Sequence, residues 1–321
     1  MSNLELPWGV LAAAWVLVIG LGPITIKALK AFKIGQMVRS DGPGTHLKKA
    51  GTPTMGGVLF IGVMVIVSLL GSNGNPLVIL AALGTFGFGV IGFVDDFRKL
   101  TKNGTTGLKA REKLLAQGLL ALIICGAAVA IVPELAQWII PFSSRVWEVP
   151  HWLFLLLAVF ITVGCANAVN LTDGLDGLAA GCMVVAGTVY AVILTWLGLP
   201  MLYGIVFSLV GACLGFLWFN AFPAAIFMGD TGSLALGAVL AFLGLFSGTA
   251  LFLPLVGLVF VLETVSVILQ VVVFRLAGGR RLFRMAPLHH HFELIGWAEP
   301  KVILRFWLAA AMGGVLTLWI L

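Results

Sequence analysis

Phe227-Met228-Gly229-Asp230-Thr231-Gly232-Ser233 places one carboxylate in a small, glycine-lined turn between two strongly apolar runs. Two other acidic clusters end apolar runs in the same way, Val94-Asp95-Asp96-Phe97 and Asn170-Leu171-Thr172-Asp173-Gly174-Leu175-Asp176-Gly177. What the apolar runs are therefore decides the fold. They recur along the whole chain at a length of about 20 residues, which matches the hydrocarbon thickness of a bilayer. Composition agrees: of 321 residues 60% are hydrophobic and only 10% charged, with a mean hydropathy of +1.11. Lipid offers no partner to an open backbone group, so spanning segments are helices or closed barrels, and long unalternating runs favour helices. The expectation is an all-α polytopic membrane protein, one integral membrane domain over residues 1–321.

Working outward, Pro, Gly and Asn mark most of the breaks, as in Gly71-Ser72-Asn73-Gly74-Asn75-Pro76 and Leu199-Pro200. They divide the chain into ten expected spans, at 8–29, 54–71, 77–94, 114–132, 152–171, 178–197, 202–219, 232–247, 251–274 and 302–321. The first run is long and lacks a basic leader, which reads as a retained span and not a cleaved signal peptide.

Basic residues set the orientation. The loops after the first, third and ninth spans carry eighteen of the nineteen Lys and Arg residues, and only Arg145 lies elsewhere. The positive-inside rule puts those loops in the cytoplasm and both termini outside, in the periplasm. It also accounts for the net charge of +6 without nucleic acid. All three acidic clusters then fall on the cytoplasmic face, together with Lys49, Asn220 and His289-His290-His291. The outer loop around Pro133–His151 has an amphipathic character (Trp138, Ile139, Ile140, Phe142, Trp147) and is expected on the outer interface. Cys125, Cys165, Cys182 and Cys213 sit in apolar runs without paired spacing, as small core residues do.

Carboxylates gathered at a membrane boundary need solvent or a counter-charge. Hard oxygens with no matching His/Cys set suit Mg²⁺, which commonly uses one or two carboxylates plus substrate phosphates. That points to phosphoryl transfer. A run of three histidines is a weak signal by itself. Adjacent ring nitrogens rarely face one ion, and beside a basic stretch they could donate hydrogen bonds to a diphosphate. Glu263 lies mid-span and reads first as an interhelical hydrogen-bonding residue, whereas Gln270, nearer the cytoplasmic end, is the better candidate for substrate contact.

Taken together the motifs resemble the phospho-N-acetylmuramoyl-pentapeptide transferase family. The blocks that carry the resemblance are Gly35–Arg39, Asp41-Gly42-Pro43, His46–Gly57, Phe93–Asp96, Asn167–Leu178, Phe227–Ser233 and Pro287–Glu293, in family order over nearly the whole chain. The three-His block separates this branch from relatives that transfer N-acetylglucosamine 1-phosphate. The resemblance implies transfer of phospho-MurNAc-pentapeptide from its UDP conjugate to undecaprenyl phosphate, giving lipid I and UMP. It also implies Mg²⁺, the bacterial inner membrane, membrane lipids as surroundings, a homodimer, and ten helices with both termini outside.

By motif, the resemblance makes Asp230 the main Mg²⁺ ligand and Asp95 the general base, or the nucleophile of a two-step reaction. Asp96 is placed beside the metal or phosphate. Asn170, Asp173, Asp176, Asn220 and Phe227 line the nucleoside and diphosphate site, with Thr54 and Gly229 from the same motifs. Lys49, Lys113, Gln270, His289, His290 and His291 are the remaining polar candidates. One departure is Ile295, where the family usually has a basic residue before Gly-Trp. A CDP-alcohol phosphotransferase is disfavoured, because Asp173-Gly174-Leu175-Asp176 does not continue into that signature. A transporter is disfavoured because its ionisable groups would lie near mid-bilayer.

Overall fold

The computed structural model describes residues 7–31, 49, 51–101, 107–143 and 145–321. The motif blocks Gly35–Arg39 and Asp41–Pro43, and His46, Leu47, Lys48 and Ala50 of the next block, lie outside them. Among the described residues nine helices are long and apolar enough to cross a membrane. They are α1 (Trp8–Ala31), α3 (Pro76–Thr101), α4 (Ala110–Ile131), α5 (His151–Thr172), α6 (Leu178–Trp196), α7 (Tyr203–Asn220, entered through a turn from Pro200), α8 (Gly229–Phe246), α10 (Leu258–Leu276) and α12 (Glu299–Ile320). Three shorter helices complete the set: α2 (Gly57–Leu70), α9 (Leu253–Val256) and α11 (Leu288–Leu294).

The bundle is built around α8. Every residue from Thr231 to Phe246 is buried, and α2, α3, α5 and α6 pack on it. The opening stretch of the sequence reading is thus the N-terminus of the innermost helix. The break before α3 explains how that helix starts: Asn75 Oδ1 accepts the N–H groups of Leu77 (3.0 Å) and Val78 (3.3 Å), and Pro76 occupies the first turn, where no donor is missed. From there α3 runs 26 residues. At 1.5 Å per residue that is about 39 Å, more than the roughly 30 Å of hydrocarbon. Its last turns, which carry Asp95, Asp96 and Lys99, therefore extend past the apolar layer.

The polar clusters gather at one end of the bundle. Lys49, the C-termini of α3, α5 and α7, and the N-termini of α4, α8 and α12 all contribute side chains that touch there.

The structure adds detail to three sequence expectations. The second span is, among the described residues, an apolar helix of only 14 residues preceded by an irregular segment, shorter than the nine long helices. The ninth expected span is broken. Pro254 opens the one-turn helix α9, and Gly257 separates it from α10, so residues 251–274 are not one continuous helix. The outer loop is a small antiparallel hairpin, β1 (Gln137–Ile139) with β2 (Val146–Glu148), in register Trp138 to Trp147. Within it Trp138 faces inward: it is buried, its Nε1 donates to the Leu135 carbonyl at 3.1 Å, and its ring packs on Phe154. A tryptophan tip needs a partner when buried, and this turn supplies one.

Candidate active site

Close backbone approach brings the first two acidic clusters together. A Cβ on Gly92 would lie 2.1 Å from the Asp230 carbonyl oxygen, and one on Gly57 would lie 2.2 Å from the Gly232 nitrogen. Only glycine lets α2 and α3 seat directly on the first turn of α8. Gly229 itself has φ +69, a left-handed conformation natural to glycine. The segment before α2 is strapped to the same turn. Phe227 N–H donates to Pro53 O (2.8 Å), and Gly56 and Gly57 N–H donate to Phe227 O (2.8 Å) and Met228 O (2.9 Å). That strap sets Thr54 beside Gly229 and leaves Phe227 half-buried.

Asp96 and Asp95 point to different tasks. Asp96 accepts the N–H groups of Asp230 (3.2 Å) and Thr231 (2.9 Å) and the Thr231 hydroxyl (2.8 Å). It therefore sits on the N-terminus of α8, where open N–H groups and the helix dipole favour an anion. Asp95 instead accepts Leu108 N–H (2.6 Å) and pairs with Lys99 Nζ at 2.7 Å. Asp230 takes Lys113 Nζ at 2.7 Å, Lys99 Nζ at 3.0 Å and the Asn170 amide at 2.8 Å. Lys113 Nζ is also 3.6 Å from Asp95. Two ammonium groups thus bridge two carboxylates contributed by α3 and α8.

A second cluster lies beside the first. Lys49 Nζ pairs with Asp176 (2.6 Å) and Glu299 (2.5 Å), while Glu299 also accepts Asp176 N–H (3.0 Å). The other Asp176 oxygen accepts Ala224 N–H at 2.9 Å. Asp173 joins the two groups electrostatically. Burial, and then the negative charges of Asp230, Asp96 and Asp176, push its carboxyl well above the usual carboxylate range. Its carboxyl stands just past the end of α5, between the two groups.

The family model described as glycosyl transferase family 4 matches residues 78–248, and a phospho-N-acetylmuramoyl-pentapeptide-transferase signature matches residues 49–61. A protein of Moorella thermoacetica named phospho-N-acetylmuramoyl-pentapeptide-transferase is 48% identical, over 97% of this chain and 97% of its own length. Relatives of the same name from Desulfotalea psychrophila and Desulforudis audaxviator are 47% and 46% identical, over 96% and 95% of this chain and 90% and 95% of their own lengths. The chain belongs to the phospho-N-acetylmuramoyl-pentapeptide-transferase family.

Family motifs and structure do not use every residue alike. Lys49, Asp95, Lys113, Asn170, Asp173, Asp176 and Asp230 come together as described. Asn220 is buried and its amide is taken up by backbone: Oδ1 accepts Gly177 N–H (3.1 Å) and Nδ2 donates to Ile226 O (2.8 Å). Gln270 likewise braces the 277–287 loop, accepting Leu282 N–H (3.1 Å) and Phe283 N–H (2.9 Å) and donating to Phe283 O (3.2 Å). The three family histidines fan out around α11, as consecutive residues on a helix must. His289 turns inward to Glu263, His290 Nδ1 lies 3.0 Å from Glu293, and His291 Nδ1 accepts Arg284 N–H at 3.2 Å. Ile295 follows that helix and is exposed.

Lys99 and Glu299 were not singled out from sequence. Lys99 lies four residues after Asp95, a spacing that pairs two side chains only where the helix runs on past the acidic pair, and that continuation is visible in the structure alone. Glu299 carried no signal, because its partners are 250 and 123 residues away.

Among the described residues no three His, Cys, Asp or Glu side chains are arranged to hold a metal ion. The donors present are carboxylate oxygens in a pair, Asp95 and Asp230, with Asp173 nearby. That is too few for a protein-only cage but suits an ion that takes the rest of its shell from water and phosphate.

Proposed function

We propose that this chain transfers phospho-MurNAc-pentapeptide from UDP-MurNAc-pentapeptide to undecaprenyl phosphate, forming lipid I and releasing UMP. We further propose that it does so in the bacterial inner membrane, as a homodimer, with Mg²⁺. The observation that carries the reading is the bridged Asp95–Lys99–Asp230–Lys113 cluster at one end of an apolar bundle, in a chain sharing 45–48% identity with transferases of that name. The reaction joins an acceptor phosphate oxygen to the sugar-side phosphorus of the donor and breaks that phosphorus's bond to the oxygen that leaves with UMP. Both partners are anionic, so cations must be in place before they meet. Lys99 and Lys113 are two such cations supplied by the chain, already positioned by carboxylates. Asp95 is assigned as the proton acceptor for the lipid phosphate. Lys49, Asp176 and the half-buried Phe227 are assigned to the nucleoside end of the donor. Asp230 and Asp95 would hold Mg²⁺, which when bound neutralises charge on the phosphates.

The ten-span arrangement, with both termini periplasmic and the site cytoplasmic, is part of the proposal. Its support is that α2, though short, runs between the two ends of the bundle. Its first residue lies against Gly232 at the site, and Gly71 after its last turn lies against Gly204 at the start of α7.

The test is UMP release by purified protein in detergent. Release is expected to require both undecaprenyl phosphate and UDP-MurNAc-pentapeptide, to stop with a chelator and to return with Mg²⁺. Release from UDP-N-acetylglucosamine alone, or release indifferent to lipid, would overturn the reading.

A further inference from the structure

Glu263 lies within the apolar helix α10 and is 0% exposed. A carboxylate inside a membrane span is costly, so it calls for a partner and a reason. The partner is His289, 1% exposed, from α11. Glu263 Oε1 accepts the His289 backbone N–H at 3.2 Å, and Oε2 lies 3.3 Å from His289 Nδ1. The far side of the ring faces the Asp173–Gly177 turn: a Cβ on Gly174 would come within 2.2 Å of His289 Nε2. Neither Nδ1, Nε2 nor Oε2 makes a hydrogen bond of good geometry. Buried polar atoms are nearly always paired, and an apolar pair would pack here at lower cost, so a purely structural contact does not explain these groups.

We propose that Glu263 is a positioning residue of the active site, which orients His289 so that Nδ1 faces the carboxylate and Nε2 is presented to the Asp173–Gly177 turn. The proposal rests on the transferase reading above. A carboxylate only accepts hydrogen bonds, so an Oε2 lying 3.3 Å from Nδ1 favours the ring proton on that nitrogen. In the neutral ring Nε2 is then left as an acceptor, and in the charged ring it becomes a donor. The turn that carries Asp173 thus rests on an imidazole whose angle is set from behind by Glu263.

The experiment compares wild type with Glu263→Gln, a near-isosteric change, and Glu263→Leu, an apolar change suited to a membrane span, both in the full-length protein. The glutamine can keep its oxygen on the His289 N–H, but then offers its NH₂ to Nδ1 and reverses the tautomer. The glutamine variant is expected to keep the wild-type melting temperature, and the leucine variant, which leaves the His289 N–H unpaired, to melt lower. Both are expected to keep the gel-filtration profile, to lose about 100-fold in kcat, the usual effect of misplacing a group by about 1 Å, and to keep their KM for the nucleotide donor. In a His289→Ala background the same replacements should change nothing further. Wild-type kcat in either folded variant, or a further loss in the His289→Ala background, would overturn the proposal. An active wild type separates such a result from failure of the transferase reading, whereas an inactive wild type overturns both.

Discussion

Asp230→Asn is expected to lower turnover by about 10²- to 10³-fold, equivalent to about 2.7–4 kcal/mol of lost electrostatic stabilisation, with little change in folding. The geometry explains why the loss should be large and local. Asp230 Oδ2 holds Lys113 at 2.7 Å and Lys99 at 3.0 Å, so one carboxylate sets two ammonium groups. Asparagine keeps the shape and the hydrogen bonding to Asn170 but removes the charge that gathers the lysines. Helix α8 should survive, because its N-terminus is held by Asp96 through the Asp230 and Thr231 backbone, which the substitution leaves alone. UMP release and thermal melting on the same sample decide the matter. Near-wild-type turnover would remove Asp230 from the mechanism. A collapsed melting transition would make it a folding residue.

Gly92→Ala is expected to act from a position with no functional group. The added methyl would meet the Asp230 carbonyl oxygen at 2.1 Å and the Thr231 nitrogen at 2.6 Å. Both are backbone atoms of the central helix and cannot rotate aside, so α3 has to move away from α8. Overpacking of this kind costs about 1–3 kcal/mol in stability. It also shifts Asp95 and Lys99 against Asp230, and a displacement of about 1 Å is enough for a loss of about 100-fold in rate. Gly62→Ala is the matched control, since a Cβ there meets nothing within 4 Å. It should melt no lower than wild type and turn over normally. Equal behaviour of the two alanine variants would show that the α3–α8 contact does not set the site.

The sequence by itself marked the apolar runs and gathered the acidic clusters at one end of them. Hydropathy is local and adds along the chain, so runs of about 20 apolar residues announce themselves. The basic residues, concentrated after three of the runs, fix the common side of the acidic clusters. The family motifs then named most of the side chains that meet there. Interruptions inside apolar runs were harder to see, because a run with Pro254 and Gly257 in it has the same mean hydropathy as an unbroken one. So was the reach of a helix: nothing in Val94-Asp95-Asp96-Phe97 says that α3 continues to Thr101 and delivers Lys99.

Only the tertiary structure decided which polar atoms remain for a substrate. Asp95 and Asp96 are neighbours of identical type, yet one faces two lysines and the other caps α8, because successive residues on a helix point about 100° apart. Asn220 and Gln270 have side chains suited to ligands, but turns without other partners take up their amides. Glu263 and His289 are 26 residues apart, and their pairing depends on how α11 folds back onto α10. Such pairings follow from helix packing across the whole chain, which no window of sequence contains.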